Sequence, residues 1–130
     1  MSAIATNKGV RISPRKVAAV ADLVRGRTVA DALVILSHTP RNSALVVADT
    51  VKSARANAEH NHSYKPDSLT IIEISVTPGP RLKRFRAAAR GRALKFERKS
   101  SHIRVVVDGE KRVAKKVPAK TTEQPQEENA

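Results

Sequence analysis

The sequence predicts an α+β fold in which three helices pack on a small antiparallel sheet and a long β-hairpin protrudes from it. Between residues 13 and 61 the apolar residues recur at helical spacing, and from residue 70 they alternate with polar residues as in strands. Two such strand segments flank a stretch that is too uniformly basic to enter a core. This stretch therefore predicts an extension of the sheet rather than a further layer.

Local signals in the first half of the chain predict one strand and then three helices. Residues 2–10 contain no proline and suit an edge strand. Helices start where a Ser or Thr cap, often with a following Pro, precedes an apolar stripe. The signals are Ser13, Pro14 and the terminal Gly26 for the first helix, Thr28 with Asp31 as a short capping-box partner for the second, and Thr39-Pro40 for the third, which continues to about Asn61.

Each predicted helix has one apolar face that should pack against the sheet or a neighbouring helix. The spacing of i, i+3, i+4 and i+7 places these residues on one side of a helix. The three predicted faces are Val17, Val20, Ala21 and Val24; then Val29, Ala32, Leu33 and Leu36; then Ala44, Val47, Val51, Ala54 and Ala58, widened by Leu45 and Ala48.

Two strands are predicted in the second half, after a loop at residues 62–68. A period of two residues separates the buried face of a strand from its exposed face. The predicted faces are Thr70, Ile72, Ile74 and Val76 against Ile71, Glu73 and Ser75 in one strand, and Ile103, Val105 and Val107 against Arg104 and Val106 in the other.

The segment between these two strands predicts a basic β-hairpin that covers about residues 77–103. From Gly79 to Arg104, ten of 26 residues are Lys or Arg and one is acidic. If Val76 lies opposite Ile103, the turn falls between Ala89 and Arg90 among small residues, and each arm has about a dozen residues. An isolated two-stranded ribbon is marginally stable in water, so it needs a surface to lie against.

The length and the charge of the chain narrow the range of its possible functions. Its 130 residues suit one domain, predicted at residues 1–112, followed by a polar tail at 113–130 that is predicted to be disordered. A formal net charge of +13 predicts a polyanionic partner, with nucleic acid as the first candidate and an anionic membrane as the second. The chain has no Cys, which is compatible with a reducing cytoplasm, and neither a membrane span nor a signal peptide is predicted.

Enzymatic and metal-binding functions find little support in the sequence. His60 and His62 form a pair without further clustered ligands, and His102 beside Ser100 and Ser101 lacks the spacing of a hydrolase site. We therefore predict no catalytic residue, no metal, no cofactor and no small-molecule substrate. An architectural DNA-binding protein with β-ribbon arms is the main alternative to RNA binding.

Nucleic-acid contact is predicted for basic residues of the hairpin and of the N-terminal segment, because Lys and Arg neutralise phosphates and Arg can bind them in a bidentate manner. His102 is added because it adjoins the basic strand. The predicted binding residues are Lys8, Arg11, Arg15, Lys16, Arg25, Arg81, Lys83, Arg84, Arg86, Arg90, Arg92, Lys95, Arg98, Lys99 and His102.

Several separate segments of the chain resemble the bacterial type of the family of large ribosomal subunit protein twenty-two. The resemblance extends from about residue 3 to 108. The matching segments are SPRKV at 13–17, ADLVRG at 21–26, SARANAEHN at 53–61, GP at 79–80, KR at 83–84, RGRA at 90–93 and SHI at 101–103. The sequence departs from many members at residues 86–88, which read RAA where others have a mixture of Met, Pro or Lys.

The resemblance implies a ribosomal protein that binds large-subunit rRNA, contacts neighbouring large-subunit proteins and supports subunit assembly in the cytoplasm. It also implies that the hairpin tip lines the nascent-peptide exit tunnel and meets the nascent peptide. The tip residues implied to line the tunnel are Arg86, Ala87, Ala88, Ala89, Arg90, Gly91 and Arg92.

Overall fold

Three helices lie on one face of a three-stranded antiparallel sheet in a computed structural model, which describes residues 2–112. The predicted fold class is therefore confirmed, while the tail predicted at 113–130 lies outside the described residues. The elements are β1 (Ala3–Val10), α1 (Pro14–Val24), α2 (Val29–His38), α3 (Asn42–Asn61), a 3₁₀ turn (Pro66–Ser68), β2 (Thr70–Pro78), β3 (Leu82–Ala87), β4 (Ala93–Arg98) and β5 (Ser101–Asp108).

The core lies between the sheet and the helices. β5 is the central strand, with β1 and β2 on either side, and α1 and α3 pack against the sheet while α2 packs on both of these helices. Ile103, Val105 and Val107 point into the core as predicted, because alternate residues of a strand face the same side. The predicted apolar faces of the helices are likewise buried, apart from Leu33 and Ala48, which are half-buried, and Leu45.

The sequence pattern predicts that Leu45 belongs to the buried face of α3, and that prediction is wrong. Its side chain is 64% exposed, whereas Ala44 and Val47 beside it are buried. The apolar stripe of α3 is narrow because Ala44, Val47, Val51 and Ala54 already fill the space against the sheet and the other helices. Leu45 projects from the side of the helix that nothing in the described chain covers.

The helix caps agree only in part with the sequence signals. The Oγ1 of Thr28 accepts the amide N–H of Asp31 at 3.2 Å, so the predicted cap of α2 is confirmed. Ser13 precedes α1 but makes no side-chain capping bond. The predicted start of α3 at Thr39 is wrong, since Thr39 ends α2 by donating its hydroxyl to the carbonyl of Ile35. α3 begins instead at Asn42.

A β-bulge in β2 overturns part of the predicted strand face. The pairing with β5 passes from Ile71 directly to Glu73 and leaves Ile72 as an extra residue. A bulge of one residue reverses the faces of the residues that precede it. Ile71 is therefore buried and Ile72 is 57% exposed, although Ile74 and Val76 face the core as predicted.

The loop at residues 62–68 is held by the residues that follow β5. The amide of Lys65 donates to the carbonyl of Glu110 at 2.9 Å, and that of Arg112 donates to Ser63 at 2.7 Å. These contacts enclose Tyr64, whose side chain is buried. Burial, reinforced by the charge of Asp108 and a hydrogen bond to it, raises the pKa of Tyr64.

The hairpin forms a second, two-stranded ladder that is separated from the main sheet by a short joint. Val76 pairs with Ile103, the register on which the predicted turn position rested, and the β2–β5 ladder ends where Pro78 pairs with Ser101. The β3–β4 ladder then runs over six residue pairs, so the paired arms are half as long as predicted. Between the ladders lie residues 79–81 on one arm and 99–100 on the other.

Close packing of the backbone defines this joint. The amide of Gly79 donates to the carbonyl of Ser100 at 2.8 Å, and the Ser100 hydroxyl donates to the carbonyl of Pro80. A Cβ atom on Gly79 would lie 2.7 Å from the Ser100 Oγ and 3.2 Å from the Cε1 of His102. Only glycine fits here without a shift of its neighbours, because real Cβ contacts are not this short.

Candidate nucleic-acid interface

The two faces of the hairpin carry different basic residues. Side chains alternate across a strand, so the β3–β4 register assigns every residue to a face. We call them the arginine face, with Leu82, Arg84, Arg86, Leu94, Phe96 and Arg98, and the lysine face, with Lys83, Phe85, Lys95 and Glu97. All of these side chains are exposed except Phe96, which is half-buried.

On the arginine face the guanidinium groups are arranged around one aromatic ring. The Cζ atoms of Arg86 and Arg98 lie 5.4 and 5.7 Å from the centroid of the Phe96 ring. Arg84 is the cross-strand neighbour of Phe96. Stacking on the ring limits the freedom of a guanidinium while leaving its N–H edge directed to solvent. The face therefore presents preorganised donors for phosphate groups.

On the lysine face two ammonium groups flank an exposed ring. Lys95 lies opposite Phe85, and Lys83 precedes Phe85 by two residues on the same face. The phenyl ring of Phe85 is 65% exposed. Glu97 forms an ion pair with Arg81 at 3.3 Å, so the one carboxylate of the hairpin is already neutralised. Both faces thus keep a net positive charge.

The turn at the tip consists of small and basic residues, as predicted. Ala87 pairs with Ala93, and the amide of Ala88 donates to the carbonyl of Arg92 at 2.8 Å. Arg90 and Gly91 close the turn with φ values of 58° and 69°. The strained left-handed geometry at Arg90 is uncommon for a residue with a side chain. The ladder is centred on Arg90, half a residue beyond the predicted midpoint.

A cleft of about 740 Å³ lies where the hairpin base faces the helices. The first turns of α1 and α3 form one wall, and the end of β4 with Lys99 forms the other. Arg11 and Arg98 also border a second opening of about 470 Å³ near Gly9. The basic residues that line the larger cleft are Arg11, Lys16, Arg41, Arg98 and Lys99.

Arg41 is a member of this cleft that the sequence analysis missed. It was assigned to the first turn of a helix starting at Thr39, with no reason to group it with residues 11–16. In the structure it is the residue before α3, it lines the cleft, and its backbone is extended. Only the packing of α3 beside α1 brings Arg41 near Lys16, so no local signal could have found it.

Three other predicted binding residues, all from the N-terminal part of the chain, lie outside the cleft. Lys8 and Arg15 are exposed, on β1 and on the first turn of α1. Arg25 is partly engaged, because its guanidinium pairs with Asp22 at 2.8 Å and donates to the carbonyl of Ile74 at 3.2 Å. These contacts tie Arg25 to the edge of β2.

His102 has a structural contact that limits other roles. Its Nδ1 accepts the amide N–H of Gly9 at 2.9 Å, where β1 departs from regular pairing with β5. The adjacent Ser101 is completely buried, and the hydroxyl of Ser100 donates to Pro80. Neither serine contacts the imidazole through a hydrogen bond within residues 2–112, so these residues do not form a nucleophile–base pair.

No group of three or more His, Cys, Asp or Glu side chains that could hold a metal ion occurs among residues 2–112. His62, one of the pair noted above, stacks obliquely near the buried Tyr64, with ring centroids 5.8 Å apart. Among the described helices, none is both long and apolar enough to cross a membrane.

Comparison with known proteins gives concordant matches over most of the chain. The family model described as ribosomal protein L22p/L17e matches residues 5–108. The large ribosomal subunit protein uL22 of Oceanobacillus iheyensis is 51% identical over 111 residues, which are 85% of this chain and 98% of that protein. The protein of the same name from Clostridioides difficile strain 630 is 50% identical over 111 residues, 85% of this chain and 100% of its own length.

Proposed function

Because this chain belongs to the ribosomal protein L22p/L17e family and is a structural, non-enzymatic constituent of the large ribosomal subunit, we propose that it binds large-subunit rRNA through its basic hairpin and lines the nascent-peptide exit tunnel with the hairpin tip. Its partners are then large-subunit rRNA, neighbouring large-subunit proteins and the nascent peptide. Its location is the cytoplasmic ribosome, and by joining separate rRNA segments it supports assembly of the subunit.

One observation carries the proposal for rRNA binding: the hairpin is basic on both faces and nothing in the described chain covers it. Neither β3 nor β4 packs extensively on an element other than its partner strand. A two-stranded ribbon gains little stability by itself, and like charges along it repel in the absence of an anion. A polyanion that lies along the ribbon removes both costs, because phosphates neutralise the charges and counterions are released.

The binding mode follows from the residue types. The guanidinium groups around Phe96 suit bidentate contacts with phosphates, whereas Lys83 and Lys95 act as point charges. Side chains cannot read the deep, narrow major groove of A-form RNA, so backbone and shape contacts dominate recognition. The exposed ring of Phe85 adds one surface on which an unpaired base can stack.

Tunnel lining by the tip rests on its shape and on the relationship to the family. Ala87, Ala89 and Gly91 have small side chains, and the only long side chains of the turn are those of Arg90 and Arg92. Such a turn brings backbone close to a passing peptide without closing the bore. Arg90 and Arg92 can reach rRNA phosphates or extend into the tunnel.

Deletion of residues 87–90 tests tunnel lining separately from RNA anchoring. None of these residues belongs to the core, so the folded domain should be retained and the protein should enter the subunit at normal occupancy. We expect altered responses to stalling peptides and to tunnel-binding drugs in ribosomes from a strain with the deletion. The matched variant Arg90→Ala with Arg92→Ala removes the charges but keeps the length of the turn.

The outcomes of this experiment separate the two roles. Altered stalling with normal occupancy supports a tunnel wall. Reduced occupancy together with unaltered stalling on the remaining intact particles would show that the tip only clamps RNA. Binding of duplex DNA as tightly as rRNA at matched salt would instead favour an architectural DNA-binding function.

A further inference from the structure

We propose that the cleft at the hairpin base binds a backbone segment of rRNA and that a phosphate held there fixes the angle between the hairpin and the helices. This inference rests on the proposed rRNA binding and adds to it a second site with a distinct task. The cleft is lined from the helical side by Arg11, Lys16 and Arg41, and from the hairpin side by Arg98 and Lys99.

The joint explains why such a site is needed. The hairpin is connected to the sheet by residues 79–81 and 99–100, where two hydrogen bonds join the arms, one from the Gly79 amide to Ser100 and one from the Ser100 hydroxyl to Pro80. No helix packs extensively on β3 or β4. With so few contacts, little opposes bending at the joint in the free protein, since local stability follows from the contacts that a segment makes.

The electrostatics of the cleft favour an anion between its walls. Five basic side chains face one carboxylate, that of Glu97, which is paired with Arg81. The positive charges on opposite walls repel each other when the cleft holds only water, and an anion between them attracts both walls. The N-termini of α1 and α3 meet the same cleft, and the side chains of Ser13 and Arg41 cap neither helix. Their backbone N–H groups add to the positive potential.

The size of the cleft indicates a segment of RNA rather than a single ion. The cleft is open to solvent, and its volume of about 740 Å³ leaves room for more than a single ion. Arg41 and Lys16 on one wall and Arg98 on the other can then contact successive phosphates. The ligand class is therefore a phosphodiester backbone, which a protein bound to rRNA meets in any case.

Small changes of angle at the joint have large effects at the tip. Each hairpin strand has six residues, so at about 3.4 Å per residue the tip lies roughly 20 Å beyond the joint. A tilt of about 10° therefore displaces the tip by roughly 3.5 Å, as simple geometry requires at this length. The tip can be placed correctly in a narrow tunnel only if the base of the hairpin is fixed. A phosphate bound in the cleft would fix it.

Distance measurements between spin labels test the proposal directly. The chain has no native Cys, so Ser53→Cys on α3 and Ala89→Cys at the tip give a unique labelled pair on exposed positions. We expect a broad distance distribution in the free, full-length protein. Addition of large-subunit rRNA transcribed in vitro should narrow this distribution to one population.

The variant Arg41→Ala distinguishes the contribution of the cleft from that of the hairpin. Its loss should lower rRNA affinity by about five- to eightfold at 0.1 M salt, as for one phosphate contact, and should leave the distribution broad at saturating rRNA. Arg41→Lys keeps the charge and should restore most of the narrowing. Lys52→Ala is the matched control, because Lys52 is exposed on α3, outside the cleft, and should change neither quantity appreciably.

Four results would overturn parts of the proposal in distinguishable ways. A narrow distribution in the free protein, or narrowing of the Arg41→Ala variant to the same extent as wild type, would refute the role of the cleft and leave hairpin binding intact. Unchanged affinity of Arg41→Ala relative to Lys52→Ala would exclude Arg41 as a phosphate ligand. Failure of the wild-type protein to bind rRNA would refute the proposed function itself.

Discussion

A quadruple alanine variant of the hairpin tests the electrostatic basis of rRNA binding. The substituted residues are Lys83, Arg84, Arg98 and Lys99, all of which are exposed. None of them takes part in an ion pair within residues 2–112, so each is available to a phosphate. None belongs to the core, and the folded domain should therefore unfold at nearly the temperature of the wild type.

The expected magnitude follows from the number of phosphates released. Each contact contributes roughly 0.7 to 0.9 to the slope of log affinity against log salt, so loss of four contacts should flatten the slope by roughly 3. At 0.1 M salt this corresponds to about a thousandfold weaker binding, or about 4 kcal/mol. A smaller change of the slope, roughly 1.5, would indicate that the arginine face alone touches RNA, since Arg84 and Arg98 lie on it.

Fluorescence anisotropy with rRNA fragments at several salt concentrations measures this slope. A matched control also lowers the net charge of +13 by four, but at basic residues away from the hairpin. The control residues are Lys52, Arg55, Lys65 and Lys111, three of which form surface ion pairs of small energetic value. Equal slopes for the two variants would show that net charge, rather than contact by the hairpin, determines affinity.

Four further predictions concern stability and local order. In the free protein, hairpin amides should exchange with solvent much faster than those of α3 and β5, and strong protection of the hairpin would contradict its lack of support. Thr28→Ala should lower the free energy of unfolding by about 1 kcal/mol in urea, whereas Ser13→Ala, at a position without a capping bond, should have little effect. Gly79→Ala should lower the free energy of unfolding by about 1–3 kcal/mol through overpacking. Adding Ser100→Ala in the same chain should restore part of this stability, because it removes the Ser100 Oγ, the atom nearest to the new Cβ. If the double variant is no more stable than Gly79→Ala, this contact does not explain the loss. Burial raises the pKa of Tyr64 in the folded state. The neutral phenol therefore contributes to the free energy of unfolding fully below the unfolded pKa of about 10, and this contribution is lost as pH rises through the folded pKa. For Tyr64→Phe the free energy of unfolding should depend less on pH above pH 10.

Patterns that depend on neighbouring residues in the chain were sufficient for most of the architecture. The helical spacing of Val17, Val20 and Val24 identified their common buried face, since that face follows from the geometry of a single helix. Alternation in β5 did the same for Ile103 and Val105. The same reasoning failed at Ile72, because a bulge depends on how β2 fits its partner strand and is not visible in the alternation itself.

That a basic hairpin leaves the sheet could be deduced from the residues alone, because a run of Lys and Arg cannot be buried and the flanking apolar strands must pair. The buried faces of the two strands exclude a register shift of one residue, and the pairing of Val76 with Ile103 that the sequence analysis assumed is the one that the structure has. The break of that ladder at Gly79 and the set of cations that meet at its base depend on packing in three dimensions. Arg41 lies beside Lys16 because α3 packs next to α1, and proximity between residues distant in the chain is a property of packing that no local pattern records.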